Sequence, residues 1–238
     1  MNAFWYGVRL QWKLDRRNKD VLITYYIVPL VFFLFMGGIF SSVMPNASVT
    51  LIQSMTIFAN TMGAVLGAPA PLLELYGTET KKAYSVGHIP LWTAAVNNFI
   101  SAFVHLAIVS IIIFLSAPLL FGAARPDATG TYFAANALMI ISSLCIGTVL
   151  GLFIKSSAKL TMVSQIIFLP SIMLSGIMFP STMLPAVLQD IGRLFPATWG
   201  FRLMCQSSFD FFLALPLMII IILSGFLCAW QLRKIILR

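Results

Sequence analysis

Val21–Val43 reads VLITYYIVPLVFFLFMGGIFSSV, 23 consecutive residues without a charge. As an α-helix rising 1.5 Å per residue it would be about 35 Å long, enough to cross a hydrocarbon core of about 30 Å. Five further stretches share this character: Thr50–Leu72, Leu91–Leu115, Tyr132–Ile154, Leu160–Phe179 and Phe211–Gln231. A charge at mid-membrane costs about 2.5–3.5 kcal/mol on insertion scales. None of the 15 Lys/Arg or 7 Asp/Glu falls at the centre of any of the six stretches. Charged residues make up 9% of the chain, against roughly 25% in soluble domains. The sequence therefore predicts an all-α integral membrane protein with six transmembrane helices. An N-terminal unit, residues 1–20, should precede a single six-span domain, residues 21–238.

The net charge of +8 would suggest nucleic acid in a soluble protein. Here the basic residues sort by loop, and nucleic acid is not expected as a partner. Arg9, Lys13, Arg16, Arg17, Lys19, Lys81, Lys82, Lys155, Lys159, Arg233, Lys234 and Arg238 fall on one side of the predicted spans. Only Arg125, Arg193 and Arg202 fall on the other. The positive-inside rule then predicts a multi-pass protein of the plasma or inner membrane with both termini in the cytoplasm. The first apolar run is too long for a signal-peptide core and follows some twenty polar and aromatic residues, so it should remain as a span. Cys145, Cys205 and Cys228 are scattered without metal-ligand spacing.

Outside the spans, two segments are amphipathic. Phe4, Trp5, Val8 and Trp12 recur at helical spacing while Arg9, Lys13 and Arg16 occupy another arc. This predicts a helix lying in the cytoplasmic headgroup layer. Val187, Leu188, Ile191, Leu194 and Phe195 form an apolar face between Pro185 and Pro196, with Gln189, Asp190 and Arg193 opposite. This predicts an outer-leaflet interfacial helix over Ala186–Phe195, between spans five and six. Met44-Pro45-Asn46 reads as an outer turn. After span two, Gly77 and Gly87 bracket a piece with Thr78 as N-cap, Glu79 in the first turn, and Lys81 and Lys82 following. That is the pattern of a short, dipole-matched surface helix.

Inside the spans the informative residues are polar or small. Gln53, Thr56, Asn60, Gly63 and Gly67 share one face of span two by spacing. Asn98, Ser101 and His105 align in span three, and Ser143, Gly147 and Gly151 in span four. Ser164, Ser171 and Ser175 align in span five, with Gln165 beside them. Two readings stand. Small residues let helices approach closely in lipid, where a hydrogen bond averages about 0.6 kcal/mol; alternatively these faces line a path for a partly polar cargo. Gln53, Asn60, Gln165 and Ser175 are the path candidates, the three amides foremost because close packing needs them less than Gly or Ser. No acidic residue lies within a span, so the carboxylate relay of a proton-driven carrier is missing. HExxH, Gly-x-Ser-x-Gly and even a Gly-Lys dipeptide are absent, which excludes a phosphate-binding P-loop in this sequence.

The order of these parts resembles the type-2 ATP-binding-cassette transporter permeases. The most specific stretch is Leu174-Ser175-Gly176-Ile177-Met178-Phe179-Pro180-Ser181-Thr182-Met183-Leu184-Pro185, with Phe195-Pro196-Ala197-Thr198 after it. It is similar to that family's SG-x-x-F-P…LP…P-x-T signature at the end of span five. The resemblance implies a permease subunit that binds no cofactor itself, with ATP bound by a separate cytoplasmic ATPase subunit. It implies that Glu74, Gly77, Thr78, Glu79, Lys81 and Lys82 form the coupling loop docking onto that subunit. It also implies a second permease copy, identical or not, with spans two and five facing a central path. Cargo in the family ranges over drugs, peptide antibiotics, lipids and polysaccharides. The short loops favour export of a hydrophobic or amphipathic cargo, as in antibiotic resistance, over polysaccharide export. A non-transporting membrane scaffold is the reading from another class.

Overall fold

The computed structural model describes residues 3–43, 49–77, 84, 86–87 and 89–236. Among the described residues, six helices are long and apolar enough to cross a membrane: span one Lys19–Ser42, span two Leu51–Tyr76, span three Trp92–Phe121, span four Thr129–Phe153, span five Ser157–Leu174 and span six Phe211–Ile235. No strand occurs among the described residues. The fold is an all-α integral membrane protein. The end bearing Leu51, Phe121, Thr129 and Leu174 is the one that the loop charges predict to be external, and is called the outer end. The turn at Met44-Pro45-Asn46 lies outside the described residues.

Span two is the axis of the bundle. Within its most apolar window 78% of residues are buried, against 17% for span six, 22% for span one and 28% for span five. Every residue from Leu51 to Thr61 is buried, polar ones included. A helix buried all round cannot show a one-sided apolar pattern, and polar groups on it must find partners inside the protein.

Prolines shape spans one and two. Proline lacks the N–H of the i→i−4 bond and its ring clashes with the carbonyl four residues back. Pro29 follows a π-helical turn at Ile23–Ile27, and Pro69 follows another at Gly63–Gly67. The wider turn opens the ladder where the proline cannot close it. The two turns meet: a Cβ added to Gly63 or Gly67 would lie 2.9 or 2.7 Å from the Tyr25 ring, and Tyr25 is 1% exposed. Because the break is absorbed, span two runs on to Tyr76 rather than ending at Leu72, and the Tyr76 hydroxyl donates to the Leu91 carbonyl at 2.7 Å.

Span five is shorter than its apolar run suggests. The helix stops at Leu174, Ser175 is its C-cap, and Gly176 turns the chain with φ +90°, a conformation open to glycine. Ile177–Phe179 therefore lie outside the span. The predicted interfacial helix Ala186–Phe195 is helical only over Ala186–Gly192. Phe195, preceding proline, is extended at φ −96°, ψ 139°, as a pre-proline residue prefers.

Pro196 then opens a further helix, Pro196–Met204, whose Pro196, Ala197, Thr198, Gly200, Leu203 and Met204 are buried. It dips between spans two and four: a Cβ on Gly200 would lie 2.8 Å from Met139 Sδ and 3.1 Å from Ile57 Cδ1. Thr198 Oγ1 donates to the Gly192 carbonyl and Trp199 Nε1 to the Arg193 carbonyl at 2.7 Å, tying this helix to the one before it.

Candidate functional site

At the end opposite the outer end, which the loop charges predict to be cytoplasmic, the N-terminal helix Ala3–Arg17 does more than lie at an interface. It packs along span three, with Gly7 close enough that a Cβ would sit 2.5 Å from Asn97 Nδ2. Trp5 is 60% exposed and is not on the packed face, which instead contains Asp15. Asp15 is buried; Ser101 Oγ donates to its Oδ2 and Gln11 Nε2 to its Oδ1 at 2.8 Å. Burial raises the carboxyl above its ordinary value, and the hydrogen bonds from Ser101 and Gln11 pull it part-way back. His105 stands beside it, Nε2 4.0 Å from Asp15 Oδ2. The imidazole stacks on Trp12 at 4.0 Å between centroids, and its Nδ1 is 2.7 Å from the Tyr26 hydroxyl. One helix face thus joins the N-terminal helix, span one and span three through a buried polar cluster.

Further along the bundle, Asn60 Nδ2 donates to Asn136 Oδ1 at 2.7 Å, and Ser110 Oγ donates to Asn60 Oδ1 at 3.2 Å. Thr56 Oγ1 and the Tyr132 hydroxyl are 2.7 Å apart. Asn98 Nδ2 donates to the Ala68 carbonyl at 3.1 Å. These pairs lock spans two, three and four together. Gly147 and Gly151 face span two, a Cβ on Gly147 falling 2.0 Å from Ala64 O and one on Gly151 2.8 Å from Pro69 O, while Ser143 is buried with its Oγ on Met139 Sδ of its own span.

The structure separates the path candidates. Asn60 is fully buried within one chain, its amide spent on spans three and four. Gln165 is exposed on span five, so the two amides are not brought together. Ser175 is buried and donates to the Ile172 carbonyl at 2.9 Å. Gln53 is 5% exposed and borders a cavity at the outer end. Of the residues expected in the coupling loop, Glu74 is exposed on the last turns of span two and Gly77 closes that helix. Thr78, Glu79, Lys81 and Lys82 lie outside the described residues. The Asp15 cluster was missed because its members come from three segments; the one signal was an acid, Asp15, at helical spacing from Val8 and Trp12. Asn136 was legible as the one large amide within span four.

Six spans about a buried axis, a docked N-terminal helix and a helical excursion after span five are thus in place. The family model for the ABC-2 type transporter matches residues 2–209, most of the chain. The chain belongs to this family. It is the transmembrane permease component of an ABC transporter, and the match takes in the N-terminal helix, five spans and the outer excursion. No curated protein matches it. Among the described residues of this ABC-2 permease, no group of three or more His, Cys, Asp or Glu is placed to hold a metal ion.

Proposed function

We propose that this permease is the membrane subunit of an ATP-driven exporter, working with a separate ATP-binding-cassette ATPase subunit and a second permease copy. Its cargo is hydrophobic or amphipathic: a drug, a peptide antibiotic or a lipid. The observation that carries the reading is the course of span two. It runs as one helical rod from Leu51 to Tyr76, buried along most of its length, and carries the Glu74 carboxylate near the end that the loop charges predict to be cytoplasmic. An element that takes up force from a soluble motor needs that form: an accessible charged tip on a rod gripped by the rest of the domain. In this reading Glu74 and Gly77, with Thr78, Glu79, Lys81 and Lys82, make the docking loop. The exposed apolar faces of spans one, five and six, with Phe35 at 70% and Ile166 at 61% exposure, serve lipid and the second copy. Gln165 and the outer cavity beside Gln53 border the cargo's route, whereas Asn60 holds the rod in place.

The test is reconstitution in lipid with and without the candidate ATPase. The permease alone should hydrolyse no ATP, and the complex should hydrolyse it faster when cargo is present. Glu74→Lys should weaken that stimulation while leaving membrane insertion intact. Full stimulation in a Glu74→Lys, Glu79→Lys double variant would overturn the assignment of the docking loop.

A further inference from the structure

The outer end of span two borders a cavity of about 290 Å³ between Val49–Gln53, the Ala124–Asp127 turn and the Met204–Ser207 segment that follows the dipping helix. Gln53 forms one wall. Its side chain is 95% withdrawn from solvent, since the residue is 5% exposed, and its Oε1 has no hydrogen-bond partner. A buried amide oxygen left bare is costly, so this wall calls for a donor: an ammonium, an amide N–H or a hydroxyl. The Ala124–Asp127 turn brings two charges to the lining. Arg125 and Asp127 are both exposed, and neither makes a salt bridge or hydrogen bond with another described residue. They are two residues apart and their charges remain available to a third party. Thr50, Gln206 and Ser207 add uncharged polar groups.

We propose that this cavity binds a small zwitterion, a molecule carrying a carboxylate or phosphate together with a primary ammonium. The anionic group pairs with Arg125. The ammonium is held by Asp127 and donates to Gln53 Oε1. A group of one sign alone would satisfy half of the wall and be repelled by the other charge. The end of a short peptide and a phosphoethanolamine headgroup share this chemistry. The site lies on the side where the proposed export path would open, but it rests on the cavity geometry alone. Its failure would leave the export reading standing, and the reverse holds too.

Cys205 lines the same cavity and is a free, exposed thiol, which makes occupancy measurable on the purified, lipid-reconstituted chain. An ordinary thiol is mostly protonated near pH 8, so alkylation there is slow enough to time. The rate at Cys205 is read by mass spectrometry with an impermeant maleimide. Cys145 and Cys228 lie inside spans four and six and are resolved as separate peptides. Alanyl-alanine and O-phosphoethanolamine, each at a few millimolar, should slow alkylation at least threefold. Propionate, ethylamine and matched sodium chloride should not. Arg125→Gln, an exposed and structurally benign change, should abolish the protection, and Gln53→Leu should do the same while keeping the unprotected rate. Vesicles rich in phosphatidylethanolamine in place of phosphatidylcholine identify the source: slowing without added probe assigns the occupant to lipid, slowing only with soluble probe to a free zwitterion. Equal labelling under all these conditions overturns the proposal. So does protection that persists in Arg125→Gln, or protection by the single-charge compounds.

Discussion

Gly147→Ala is the sharpest test of how spans two and four are held. The added Cβ would fall 2.0 Å from Ala64 O and 3.2 Å from Ala64 C, where ordinary contact begins near 3.4 Å. Both partners are helix backbone, so no side chain can rotate away and the two spans must separate by more than an ångström. Overpacking by a methyl costs about 1–3 kcal/mol, and a backbone-to-backbone clash belongs at the top of that range. At about 2–4 °C per kcal/mol for a chain of this size, the melting midpoint should fall by about 6–12 °C. Gly151→Ala, with its nearest approach 2.8 Å from Pro69 O, should fall less. Gly225→Ala is the control, because nothing lies within 4 Å of its Cβ position. Replacing a mid-helix glycine there should gain about 0.5–1 kcal/mol. Thermal unfolding in one detergent, followed by size-exclusion of the fluorescent-tagged protein, reads all three. Indistinguishable midpoints for Gly147→Ala and Gly225→Ala would refute the close approach of the spans.

Asn60→Leu should lower stability by roughly the 0.6 kcal/mol average of intramembrane hydrogen bonds, up to about 1.7; adding Asn136→Leu should cost less than the sum of the single changes. An altered order of cargo preference at unchanged stability would instead return Asn60 to the path. Burial raises the Asp15 carboxyl above its ordinary value of 3.8, so the folded chain holds that proton more tightly than the unfolded one. Its contribution is then complete below about pH 3.8 and is lost as pH rises through the folded-state value. Thermal midpoints measured from pH 4 to 8 should show that decline in the wild type and a flatter profile in Asp15→Asn; parallel profiles would count against the buried carboxylate. In a Cys205→Ser background, a cysteine at the exposed Asp190 should react with an impermeant thiol reagent on whole cells and one at the exposed Arg17 should not. The reverse pattern would invert the topology.

The six spans were legible because crossing a bilayer needs a count of apolar residues, and counting requires no partner. Ends were harder to read. Apolar residues after Leu174 look like more span five, yet Gly176 at φ +90° turns the chain there. Span two reads in the sequence as ending at Leu72, yet the π-helical turn at Gly63–Gly67 lets it continue past Pro69 to Tyr76. That turn also splits the polar stripe that α-helical spacing put on one face. Thr56 and Asn60 meet span four at Tyr132 and Asn136, whereas Gly63 and Gly67 meet span one at Tyr25. The helix Pro196–Met204 was missed because nine residues with an arginine look like loop. Asp15 and Ser101 are 86 residues apart, and no local pattern joins them. For the site, the amides were found as residues, but not what they touch, which depends on how the helices assemble.

Over its outer half, Leu51–Thr61, span two has no free side on which to move by itself. Its upper half is walled by spans three and four and the dipping helix, and its lower half by Tyr25 and by the glycines of span four. In the proposed coupling, a push at Glu74 would be shared by this packed core before it could bend the rod, and spans one, five and six, with 17–28% of their most apolar windows buried, are the margins with room to give.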